Sequence, residues 1–144
     1  MPIWCERLAL LEPWLSLEDR VLLCSAHPHV TPERLDQLIV LLTSPLDWAH
    51  VVALAERHEV VPLLSRHLQA VPAETVPDAV RETLAVRMRE NLVRNLQLQR
   101  ELLRVLGAFN HATIPVIPLK GPWLGELLYG DVTFRTTGDL DLLV

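Results

Sequence analysis

The apolar residues Val80, Leu84, Met88, Leu92 and Leu96 fall four apart, Leu103 and Leu106 continue the line, and Arg and Glu occupy the other faces. Recurrence every three to four positions places side chains on one face of an α-helix, so this run predicts one long amphipathic helix over about 77–111. At 1.5 Å per residue such a helix extends for roughly 50 Å, longer than a compact helical core of this size requires. It is expected to tie two parts of the molecule together. A coiled coil is the rival reading, but repeated steps of four drift off a strict heptad and favour packing inside a domain.

Upstream, the same periodicity broken by turn signals predicts helices near 4–11, 17–26, 32–43, 45–57 and 60–69. Ser16 with Asp19 has the spacing of a capping box. Thr31 and Ser44 each precede a proline suited to a first helical position, and Pro77 opens the longest segment. Past the long helix the pattern changes. Ile114 to Leu119 is apolar and β-branched, with two prolines that suit an edge or irregular strand. Lys120, Gly121 and Pro122 form a turn into a short helix from Trp123 to about Tyr129, and a polar loop from Gly130 to Gly138 follows. Asp139 to Val144 then alternates as a second strand. The expected fold class is mainly α with a small α/β end: a helical region over 1–112 and a strand, helix and strand over 113–144.

Composition narrows the function. Of the 144 residues, 50% are hydrophobic and 22% charged, the balance of a chain that folds. Leu38 to Leu42 is the longest aliphatic run, far short of the roughly 20 residues of a membrane span, and no secretory leader opens the sequence. A cytoplasmic protein without membrane association is expected. The net charge of -5 argues against a sequence-independent grip on nucleic acid, while leaving room for a local basic patch. Cys5 and Cys24 read as small core residues, and the six histidines are scattered without a metal-ligand pattern.

The chemistry gathers near the end of the chain. Residues two apart on a strand share a face, so Asp139 and Asp141 project together while Leu140 and Leu142 point to a core. Paired carboxylates repel unless a cation sits between them, and oxygen ligands at this spacing suit Mg²⁺ or Mn²⁺ bound together with phosphates. Lys120 and Gly121 meet the start of a helix, where amides, the positive helix end and a lysine can converge on a polyphosphate. Arg135, Thr136 and Thr137 add a cation and two hydroxyls in the loop that leads to the carboxylates.

The run PLKGPWLGELLYGDVTFRTTGDLDLLV, Pro118 to Val144, resembles the uncharacterised, polymerase-β-like nucleotidyltransferases. Their pattern is a hydrophobic strand, Lys and Gly, a short helix, then Arg, a loop, and Asp, hydrophobic, Asp. Abortive-infection toxins of the nucleotidyltransferase type are similar over the same stretch. Asp47 to Leu68, DWAHVVALAERHEVVPLLSRHL, is similar to the helical lead of the first family. The resemblance implies that 113–144 is the first strand, helix and strand of a nucleotidyltransferase fold, with Asp139 and Asp141 as catalytic metal ligands. It also implies that Lys120 and Gly121 face the phosphates of an NTP, with Arg135 and Thr137 beside them, and that a nucleotidyl group passes to an unknown acceptor.

Two departures qualify that implication. The family's third carboxylate lies on a later strand, whereas this sequence ends three residues past Asp141, so the expected site is incomplete and inactive alone. Asp131 and Glu126 read as solvated rather than as replacements. Pro122 stands where a serine commonly follows the glycine in the wider superfamily, removing a hydroxyl and an amide donor. The alternative is a non-catalytic nucleotide-binding or protein-interaction module. A sheet with an unpaired edge also invites self-association.

Overall fold

The computed structural model describes residues 14–144, so the expected helix over 4–11 and Cys5 lie outside the described residues. The chain divides into two compact units after Arg81. Among the described residues of the first, four helices follow one another: α1 (Leu17–Ser25), α2 (Pro32–Leu42), α3 (Trp48–Arg57) and α4 (Val61–Ala70), then a 3₁₀ turn at Ala73–Thr75.

Local chemistry sets their starts. The Ser16 hydroxyl accepts the Asp19 amide and the Asp19 carboxylate accepts the Ser16 amide, which completes the capping box before α1. Thr31 caps α2 with Pro32 in the first turn. At α3 the sequence expectation fails: Ser44 and Pro45 do not begin it, and Asp47 does, accepting the His50 amide at 3.0 Å. A caboxylate cap satisfies an amide of the first turn, which a proline three residues earlier cannot do. Glu18 reinforces this start by accepting the Asp47 amide at 3.0 Å, joining the beginnings of α1 and α3.

The core of this unit is Val21, Leu38, Val51, Ala55, Leu64 and Leu68, each almost wholly buried. His67 is buried among them with Nδ1 3.0 Å from the Leu63 carbonyl, a geometry that puts the ring proton on Nδ1 and leaves Nε2 without a partner. Cys24 is half-buried, its thiol donating to the Arg34 carbonyl at 3.3 Å, and burial pushes its pKa up, as for a small core residue. Arg81 closes the unit by donating to the carbonyls of Leu68 and Pro72 at 3.0 and 3.2 Å.

The long helix α5 runs from Asp78 to His111. The covered face is not the line of residues four apart. Leu84, Asn91, Asn95 and Leu102 are buried, and Met88, Leu98 and Val105 are partly covered, giving alternate steps of four and three. Leu92, Leu96 and Leu103 are exposed by 37, 50 and 65%. Each step of four over-rotates by about 40°, so three such steps from Leu84 carry Leu96 about 120° off the covered face.

Beyond α5 the second unit holds β1 (Ile117–Pro118), α6 (Pro122–Tyr129), a 3₁₀ turn at Val132–Phe134 and β2 (Leu142–Leu143). The strands pair antiparallel, Ile117 with Leu143 and Pro118 with Leu142. They are shorter than the sequence pattern predicts at Ile114–Leu119 and Asp139–Val144, because Pro115 and Pro118 supply no amide to the ladder. The described residues are thus mainly α with a small α/β end. No helix among them is long and apolar enough to cross a membrane.

Candidate functional site

Gly121 joins β1 to α6 with φ 87 and ψ -157, a conformation that is essentially glycine's alone. A Cβ here would also lie 3.0 Å from Leu140 Cδ2 and 3.4 Å from the Asp139 carbonyl oxygen. The segment before β2 therefore backs directly onto the turn. Pro122 has no amide, and the amides of Leu124 and Gly125 donate to the Gly121 carbonyl at 3.1 and 3.4 Å. The expected convergence of several helix amides on an anion is thereby narrowed to the amide of Trp123. Attraction for an anion at this turn falls mainly to side chains.

Asp139 and Asp141 lie in the extended segment leading into β2 rather than within the ladder. The Leu119 amide donates to the Asp141 carbonyl at 2.8 Å, adding one bond beyond the paired residues. That register brings Lys120 Nζ to 2.6 Å from Asp141 Oδ2, an ion pair with side chains 55 and 39% exposed. Lys120 is held above its ordinary pKa, first by the hydrogen bond to Asp141, then by the charge of Asp141 and more weakly of Asp139. Arg135 pulls it the other way. Lys120, Asp139, Asp141 and Arg135 thus share one electrostatic neighbourhood at the end of the two-stranded sheet.

The loop between α6 and this segment is held from two sides. The Asp131 carboxylate accepts the Thr133 amide at 2.7 Å and starts the 3₁₀ turn, so Asp131 caps a turn and is not simply solvated. That turn packs against α6 at Gly125, where a Cβ would meet Val132 Cα at 3.5 Å and Arg135 Cβ at 3.6 Å, ordinary contact distances. From α5, Asn95 Nδ2 donates to the carbonyls of Val132 and Arg135 at 2.6 and 2.8 Å. Asn91 Nδ2 donates to those of Thr133 and Arg135 at 2.8 and 3.5 Å. Sequence reasoning passed over both asparagines. Their signal was present as two amides four apart, continuing the line of Leu84 and Leu102 at heptad spacing.

Thr137 is buried, its methyl 3.8 Å from the place of a Gly121 Cβ, and its hydroxyl has no hydrogen-bond partner. Arg135 Nε is buried without one as well. Two polar groups that the sequence assigned to a ligand therefore have unmet hydrogen-bonding capacity, Thr137 beside the Gly121 turn and Arg135 against Gly125 of α6.

Among the described residues no group of three or more His, Cys, Asp and Glu is placed to hold a metal ion. A hard divalent cation of the Mg²⁺ type commonly takes one or two carboxylates and completes its shell with water and phosphate oxygens. Lys120 currently satisfies Asp141, so a cation there competes with an ammonium.

A family model described as an uncharacterised nucleotidyltransferase matches residues 44–144. No curated protein and no solved structure matches the chain. The matched span includes Lys120, Gly121, Arg135, Thr137, Asp139 and Asp141, and both asparagines of α5.

Proposed function

Since the chain belongs to the uncharacterised nucleotidyltransferase family, we propose that its second unit takes part in metal-dependent transfer of a nucleotidyl group from an NTP to an acceptor. The observation that carries this reading is the Lys120 and Asp141 pair, with Asp139 and Arg135 in the same field, beside the Gly121 turn. Cations for phosphate and carboxylates for a metal stand together there.

In this reading Asp139 and Asp141 hold Mg²⁺ or Mn²⁺, which when bound supplies charge stabilisation at the phosphoryl oxygens. Lys120 leaves Asp141 for a phosphate oxygen, carrying its proton with it, since both partners are anions and the ammonium stays charged. Arg135 donates from Nε and Thr137 from its hydroxyl, both buried groups without a hydrogen-bond partner. Gly121 contributes closeness, because it has no side chain of its own to hold Leu140 and the Asp139 carbonyl away from the turn. These roles orient the triphosphate and balance its charge, which is most of what phosphoryl transfer asks of a protein.

Binding of a fluorescent ATP analogue in Mn²⁺ tests the reading. Wild-type protein is expected to bind it in a Mn²⁺-dependent way and Asp139→Asn to lose that dependence. Unchanged binding by Asp139→Asn overturns the assignment.

A further inference from the structure

We propose that Asn91 and Asn95 are positioning residues of the candidate nucleotide site, acting on it through the main chain of the loop that carries Arg135 and Thr137. The proposal rests on the nucleotide reading above and extends it to the long helix.

Asn95 is fully buried and both hydrogens of its amide are engaged, one on the Val132 carbonyl and one on that of Arg135. Asn91, also buried, reaches the Thr133 carbonyl and shares that of Arg135. Three carbonyls within four residues are therefore fixed by one helix, and the carbonyl of Arg135 is fixed twice. Loop carbonyls usually turn to water. Here they turn to two amides, so the loop has little freedom to shift at the residue that carries the guanidinium.

Plain core packing is a poor account of these two residues. Leucine has the same number of side-chain heavy atoms in the same branched arrangement, fits the heptad line of Leu84 and Leu102, and carries no polar atom to desolvate. Both asparagines instead bury an Oδ1 without a partner, which is unfavourable. What the amides gain for that cost is the location of Arg135. Two residues further on, the buried Thr137 hydroxyl comes to rest beside Gly121, and the extended segment of Asp139 and Asp141 continues from it. A displacement of about 1 Å at such groups can weaken productive contact by up to about 100-fold.

The test compares wild type with Asn95→Leu, Asn95→Asp and Asn91→Leu by thermal melting, amide hydrogen exchange and Mn²⁺·ATP binding. Asn95→Asp keeps shape but replaces the donors by a carboxylate. Exchange is expected to quicken over 131–141 and not over α1 to α4, and Mn²⁺·ATP affinity to fall at least tenfold in both Asn95 variants. Asn91→Leu, which leaves the shorter pair of bonds intact, is expected to show a smaller loss and keeps the test open if the Asn95 variants do not fold. Unchanged exchange over 131–141, or unchanged affinity in a folded variant, overturns the proposal. If wild-type protein takes up no Mn²⁺·ATP, the nucleotide reading falls with the ligand role of the asparagines, while exchange still decides whether they hold the loop.

Discussion

Lys120 Nζ lies 2.6 Å from Asp141 Oδ2, across the pairing that the Leu119 amide makes with the Asp141 carbonyl. The ammonium thereby occupies the carboxylate that the proposed cation needs. Removing it has opposite effects on the two ligands. Lys120→Met is expected to strengthen Mn²⁺ binding without nucleotide by roughly 1.5- to 5-fold, the range an exposed pair supports, and to weaken ATP binding in Mn²⁺. Manganese electron paramagnetic resonance titrations with and without ATP check both signs. A parallel fall in both affinities would show that Lys120 shapes the strand end instead of competing for Asp141.

The two glycines around α6 predict opposite outcomes. Gly121→Ala forces a side chain into φ 87, at a cost of about 1–3 kcal/mol. Leu140→Ala in the same chain is expected not to restore it, because the strain is in the backbone and the Leu140 methyl could already move. Gly125→Ala meets ordinary contact distances inside a helix and is expected to be neutral or to stabilise by up to about 1 kcal/mol. Chemical denaturation of the three variants checks the contrast.

His67 predicts a pH dependence. Burial holds its folded pKa below the ordinary value of 6.5, against the raising effect of its bond to Leu63 and with help from Arg34 and Arg66. The unfolded chain therefore binds a proton that the folded chain resists, and the associated stability is fully present above 6.5 and lost as pH falls through and below it. Melting temperature is expected to drop between pH 7.5 and pH 5, and the slope to flatten in a folded His67→Gln variant. An equal slope in that variant would place the pH dependence elsewhere.

Thr113 ends the long helix with φ 57, a left-handed conformation unfavourable for a β-branched residue. The Ile114 amide donates to the Phe109 carbonyl at 2.9 Å, so the turn is that of a helix stop that normally carries glycine. Thr113→Gly is expected to stabilise the protein by up to about 1 kcal/mol, after the greater freedom of glycine in the unfolded chain is subtracted. Urea midpoints of the two proteins measure it.

Much of this architecture was legible in the sequence, for reasons that differ by element. The capping box of Ser16 and Asp19, Pro32 behind Thr31, and the extent of α5 are local signals, and local structure followed them. The family was legible because Lys120, Gly121, Arg135, Asp139 and Asp141 fall in a recognisable order. The covered face of α5 was not legible by counting apolar residues, since Leu92 and Leu96 look like core while Asn91 and Asn95 form it. The partners of those amides lie some 40 residues on, beyond the reach of any local pattern. The Lys120 and Asp141 pair was hidden for the same reason, because the sequence listed both ends and only the antiparallel register joined them.

The helix α5 recognises the loop at 132–135 through its carbonyl oxygens and no side chain of that loop receives an amide from Asn91 or Asn95. Such a grip is indifferent to which residues fill the positions it holds, provided the backbone path is kept. Thr133 can accordingly be exchanged for another residue without loosening the grip of the two amides. A lineage carrying this device can change side chains along the loop while the helix that holds its main chain stays as it is.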